Sequence, residues 1–243
     1  MRLYLQGVDA SGDIGAITAM RSTTAMLDVT DITQSAVQRI PGLRDGEINF
    51  NCWFNDANDE TFDSLAALPT TDVLALCLSS TTTGQPVFVL TAKQVNYDWS
   101  RSADGSMSGT VQLLGASGIP LEYGFLLTPS VTHASASDVT GIDGTAQSVS
   151  GGVGYLQHFS AASGTVEYDI EDSSNSTNGV DGTWANLLAF TDVATPWAAI
   201  AQRVAVSGTV ERWVRASTNG TFTTAVFSMA FRRKAAGDFD AAP

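Results

Sequence analysis

Over much of this chain apolar residues recur at every second position, the period of a half-buried β-strand. In EINFNCWF, Ile48, Phe50, Cys52 and Phe54 fall on one side, and Glu47, Asn49, Asn51 and Trp53 on the other. Residues 2–6 alternate likewise, and DVLALCL and PVFVL read as two buried strands separated by a Thr-Gly turn. AKQVNYDWS and SMSGTVQLLG then predict a hairpin closed over Arg101–Gly105. Its first strand sets Val95, Tyr97 and Trp99 on one face. Its second sets Met107, Val111 and Leu113 on one face and the neutral Ser106, Ser108, Thr110 and Gln112 on the other.

Two stretches break the alternation. Between the strands, Phe62, Leu65 and Ala66 recur at helical spacing. Asn58 or Asp59 is placed to cap that helix, Glu60 and Asp63 suit its positive end, and Pro69 stops it. Earlier, Ser22–Thr30 reads as strand and Asp31–Ile40 as helix or extended loop.

From Thr128 to Thr145 the text turns small and polar, as in a linker or long loop. Strands return in GYLQHFSA, GTVEYDIEDS, IAQRVAVSG, TVERWVRAS and TFTTAVFSMAFRR, the last two predicted to meet in a tight turn at Asn219-Gly220. The phrase SGTV occurs at Ser108, Ser163 and Ser207, with spacings of 55 and 44 residues, so it is a recurring strand opening and not a fixed-period repeat. The fold class expected is all-β: a β-sandwich or barrel with one short helix over 1–125, a linker over 126–146, a smaller sandwich over 147–234 and a loose tail over 235–243.

Composition supports this. Charged residues are only 15% of 243, and Ser, Thr, Gly and Asn take their place, as where short strands alternate with turns. The net charge of −13 is spread evenly, with 6 basic and 13 acidic residues up to Pro120 and 6 and 12 after it. A chain that grips nucleic-acid phosphates needs clustered Lys and Arg, so this one is expected to repel them. The N-terminal text lacks the long apolar core of a signal peptide, and no apolar run reaches the ~20 residues of a membrane helix, so synthesis in a cytoplasm is expected.

Catalytic vocabulary is missing. His133 and His158 are the only histidines, and there is no HExxH, CxxC, GxGxxG or GxSxG. Cys52 and Cys77 each sit in an apolar run and are expected as buried free thiols. The acidic loops at Asp56–Glu60 and Asp169–Asp181 lack calcium-loop spacing and read as caps and solvated turns. Trp213 reads as core, whereas Trp184 and Trp197 lie in turns and are candidate surface aromatics for a sugar. The expectation is a non-enzymatic protein with no cofactor and no metal.

One resemblance covers roughly residues 1–120. The order of strand, short helix, buried strand pair and long hairpin, in PGLRDGEINFNCWFNDANDETFDSLAAL, DVLALCL and AKQVNYDWSRSADGSMSGTVQLLGASG, resembles the tail tube (major tail) proteins of long-tailed bacteriophages. The resemblance implies a sandwich flanked by a helix, six copies closing into a ring, and rings stacked into a tube for DNA. It also implies a loop for ring-to-ring contact within 20–40 and an interior that tends to be negative. On it, Glu47, Asn49, Asn51, Ser106, Ser108, Thr110 and Gln112 are expected to face the lumen, Glu47 adding negative potential. Partners implied are further copies of the chain, other tail proteins and DNA as transient cargo, with no membrane. The location implied is the virion tail, after a stay in the host cytoplasm. The second half resembles the added outer immunoglobulin-like or jelly-roll domain of some tail proteins, and also carbohydrate-binding sandwiches, through which a host-surface glycan is a candidate ligand. The alternatives are a head-decoration virion protein or a glycan-binding module.

Overall fold

The computed structural model describes residues 1–57, 60–68, 70–196 and 198–235, apart from the side chain of Asp63. The chain is all-β. Its strands in order are β1 (Arg2–Leu5), β2 (Val8–Asp9), β3 (Ile14–Asp28), β4 (Arg39–Trp53), β5 (Val73–Leu78), β6 (Pro86–Arg101), β7 (Met107–Gly115) and β8 (Glu122–His133). There follow β9 (Ser137–Asp138), β10 (Ile142–Asp143), β11 (Gly152–Ser173), β12 (Ala185–Ala189), β13 (Val193–Ala194), β14 (Ile200–Val206) and β15 (Trp213–Arg233). One short helix, α1 (Thr61–Leu65), lies between β4 and β5.

The alternation read in EINFNCWF builds β4: Ile48, Phe50 and Cys52 are fully buried. Just beyond the end of β4, Phe54 packs edge-on against Trp99, ring centres 5.2 Å apart, and against Phe62 of α1, and is 39% exposed. β4 pairs with β3 on one side and β7 on the other, and β7 pairs with β6, giving the sheet order β3-β4-β7-β6. The near half of β6 continues through β5 to β1 and β2. Helix α1 is tied across the sheet by Gln94 Nε2 donating to Leu65 O at 2.9 Å, and by Thr61 Oγ1 donating to the Asp13 carboxylate at 2.9 Å. The expected caps Asn58 and Asp59 and the stop at Pro69 lie outside the described residues, as does the tail from 236.

A bulge between Gln94 and Asn96 corrects the expected face of β6. Tyr97 and Trp99 pack toward the core with Gln94, while Val95, the extra residue, is 50% exposed. Met107 keeps the register of Val111 and Leu113 but, as the first residue of β7, is partly exposed.

In the second half β11 and β15 pair continuously from Gly152↔Arg233 to Ser173↔Trp213. The tight turn predicted at Asn219-Gly220 is therefore absent: both residues lie inside β15, with Asn219 opposite Glu167. Gly164 and Gly220 have φ of +93° and +86°, and a Cβ on Gly164 would stand 1.8 Å from the Thr221 carbonyl oxygen. These glycines bend a single long ribbon where the text suggested two turns.

The stretch 126–146, expected as a linker, carries the second half of β8 together with β9 and β10. Pro129 argues against a strand there, but two register shifts opposite Phe227–Ala230 accommodate it. β8 bridges the halves, pairing Glu122–Phe125 with β6 and Phe125–His133 with β15. One core lies in each half, around Phe50, Leu113 and Val111 and around Tyr168, Phe227 and Val214. A third is shared: Tyr4, Leu76 and Val89 pack with Leu126, Val153 and Tyr155. Polar groups join the same seam. Gln157 accepts from Gly7 N at 2.6 Å and donates to Leu74 O at 2.9 Å, and buried Glu122 is held by Arg203 at 2.8 Å and Arg232 at 2.7 Å.

Candidate functional site

Cα partners in an antiparallel pair share a face, so the registers of β3, β4, β7 and β6 fix what the sheet presents away from its core. The rows read Ala19, Asn49, Gln112, Asn96; then Ala16, Asn51, Thr110, Asp98; then Trp53, Ser108, Ser100. Above them stand Arg21, Glu47, Leu114 and Lys93. Six of the seven residues expected on one polar face are thus brought together. Ser106 is not among them: it sits in the β6–β7 turn, where its N–H and hydroxyl donate to Asp104 at 3.0 and 2.8 Å.

The face is hydrogen-bonded across its strands. Gln112 N donates to Asn96 Oδ1 at 2.8 Å, Gln112 Nε2 to Glu47 Oε1 at 3.2 Å, and Asn96 Nδ2 to Asp98 at 2.7 Å. Ser100 and Ser108 hydroxyls meet at 3.2 Å. Asn49 also donates to Glu47, and Arg21 forms an ion pair with it. Arg21 first, then the Asn49 and Gln112 amides, hold the Glu47 carboxyl below its ordinary range. Glu47 is therefore held in its ionised form, paired with Arg21. Lys93 is likewise paired with Asp72 at 2.7 Å, leaving Asp98 as the exposed charge of the face without an ion pair among the described residues. Arg21, Asn96, Asp98 and Ser100 belong to this surface and were missed as site residues. The alternation in β6 already set the last three opposite Tyr97 and Trp99, and the bulge changes only the placing of Gln94 and Val95.

Both edges of this four-stranded sheet are open. β3 pairs with β4 alone, and beyond Ala92 β6 pairs with β7 alone among the described residues. At the far end the β3–β4 hairpin extends as an arm. From Arg21 to Gly42 nearly every residue is exposed, and Met26, Leu27, Val29, Ile32, Val37, Ile40 and Leu43 show their side chains to solvent. Ile32 is fully exposed and Leu43 88% exposed. The unassigned stretch 20–40 is thus strand on both sides of a loop over 29–38.

In the second half Trp184 is half-buried. Arg215 stacks 4.3 Å above its ring, its Nε1 donates to Asp181 O at 3.0 Å, and its ring edge fills the space a Cβ on Gly141 would need. One face of the indole is thus covered by the Arg215 guanidinium. Trp197 lies outside the described residues. Trp213 is buried, as expected. Cys52 and Cys77 are free and buried, and burial pushes both thiols up to about 11. Among the described residues no three His, Cys, Asp or Glu side chains gather as a metal site, and no helix is long and apolar enough to cross a membrane.

No protein-family model and no curated protein sequence matches this chain. Among solved structures it is similar to the Dit (gp 19.1) protein of SPP1, described as a paradigm of the hub adsorption apparatus in phages that infect Gram-positive bacteria. That match has 13% identity over 95% of this chain and 98% of the other, with a TM-score of 0.34, too low to establish a common fold.

Proposed function

We propose that this chain is a structural protein of a phage tail whose copies join edge to edge through the β3-β4-β7-β6 sheet and enclose a channel lined by its polar face. The observation that carries the reading is that face: four strands wide, hydrogen-bonded, almost free of net charge, and open at both edges. Unpaired strand edges are templates for pairing with another chain, and natural monomers cover or blunt them. Among the described residues no strand pairs with the outer side of β3 over its fifteen residues, and the three bulges it carries leave that edge uncovered. A wall without free cations suits passage of a polyanion, because lysines there would bind phosphates and hold them. The exposed apolar arm fits contact between successive rings, the role that the tail tube resemblance gives to this stretch.

Negative-stain images of the purified protein at increasing concentration test the assembly. Rings or tubes are expected, and a single-copy species at every concentration overturns it. The lumen assignment has its own test in Thr110→Cys. Cys52 and Cys77 are buried, so a bulky maleimide reads the new thiol alone. It should label free protomers and spare assembled tubes. Equal labelling of both places the polar face outside.

A further inference from the structure

At the end of the polar face away from the arm, a groove of about 430 Å³ opens beside Trp53. Its walls are Gly15 and Ala16 of β3, Asn51 and Trp53 of β4, Ser100 of β6, and Ser108 and Thr110 of β7. Trp53, the last residue of β4 and paired with Ser108 of β7, is 52% exposed. Gly15 lies flat along it, since a Cβ there would already stand 3.4 Å from Nε1. An indole with an open surface and no covering side chain is an unusual expense on a water-facing strand.

Every side chain that reaches the groove with a hydrogen-bonding group is uncharged: one amide, three hydroxyls and the indole N–H. We infer that the Trp53 groove is a binding site for a neutral saccharide, with one sugar ring stacked on the indole and its hydroxyls bonded by Asn51, Ser100, Ser108 and Thr110. The chemistry selects this class over others. A pyranose offers an apolar C–H face to an aromatic ring and a rim of donors and acceptors to hydroxyls and amides. A phosphate or a sulfated sugar would meet no cation here and a chain of net charge −13. A base of duplex DNA is already stacked within its own helix and does not present its face. The inference rests on the geometry of a single chain and does not depend on ring assembly.

The test is titration of the full chain with chitotriose, cellotriose and isomaltotriose, followed through the indole N–H resonance that Trp53→Phe removes. At least one of the three should shift that resonance with a Kd in the range of about 0.1–10 mM, the affinity of a site with one stacked ring. Trp53→Ala should abolish the binding, and Gly15→Val, which fills the groove while keeping the indole, should weaken it at least tenfold. No shift with any of the three at about 50 mM overturns the inference. So does a shift in other residues that persists in Trp53→Ala.

Discussion

The molecule contains two long antiparallel ribbons of similar make and opposite fate. β3 and β4 are fifteen residues each, and β11 and β15 are 22 and 21. Both carry bulges. The second ribbon is flanked on one side by β8, β9 and β10 and on the other by β12, β13 and β14, and its apolar positions are core. The first has β7 along only its inner half, and its outer apolar positions face water. Strand length and propensity are shared. What differs is the supply of neighbours, and that decides whether an apolar residue stabilises the protomer or waits for another surface.

Removing neighbours from the buried ribbon should have the largest effect. A fragment of residues 147–235 keeps β11 and β15 but loses β8 and the Tyr4, Leu76, Val89 and Leu126 side of the shared core. It should show no dispersed amide spectrum. A folded fragment would mean that the seam adds little and that the second half is an independent sandwich.

A single core substitution comes next. Phe227 is fully buried between the rings of His133 and Tyr168, at 4.5 and 4.9 Å. Phe227→Ala should cost about 3–5 kcal/mol in denaturant unfolding. A loss near that of a surface site would show that the ribbon is less tightly packed than drawn.

Acid should weaken the buried ribbon by a smaller amount. His158 is buried with Nδ1 2.6 Å from the Tyr168 hydroxyl, and burial pushes its pKa from 6.5 down to about 4. The unfolded chain takes up a proton below pH 6.5 while the folded one stays neutral. Stability from this residue is therefore full above pH 6.5 and falls between there and pH 4, by roughly 2–3 kcal/mol. His158→Gln should flatten that slope, measured as the urea midpoint against pH. An unchanged slope removes His158 as its source.

The smallest effect belongs to the arm. Ile32→Ser and Leu43→Ser should change protomer stability by no more than about 0.5 kcal/mol. They should, however, reduce association at high concentration, seen by sedimentation velocity. A large stability loss would mean that the arm is packed after all.

How much of this was legible depended on whether a local signal had one structural use. The alternation in β4 did: Ile48, Phe50 and Cys52 had to be inward once one of them was. SGTV did not. Gly109 lies inside β7, where a Cβ would press on the Trp99 ring at 3.1 Å. Gly164 bends β11 at positive φ, and Gly208 with φ +93° makes a turn after β14. Three identical phrases thus serve packing, bending and turning, because glycine meets three different demands. Asn219-Gly220 misled for the same reason, and Pro129 hid a strand that bulges made room for. On the candidate face, the alternation gave Asn49, Asn51, Thr110 and Gln112, but the ion pair of Arg21 with Glu47 needed a register that no local pattern contains.

The place of β15 between β11 and β8 also bears on how the chain reaches this state. Its partner Phe125 is separated from Phe231 by more than a hundred residues, whereas Asp28 closes on Arg39 across a short loop. Loop-closure entropy makes the second contact fast and the first slow. During synthesis the arm forms early, while β8 and β11 wait with open flanks for the last long strand to emerge. A ribosome stalled before Trp213 therefore holds a nascent chain with two sticky seams, and chaperone demand should peak in that interval.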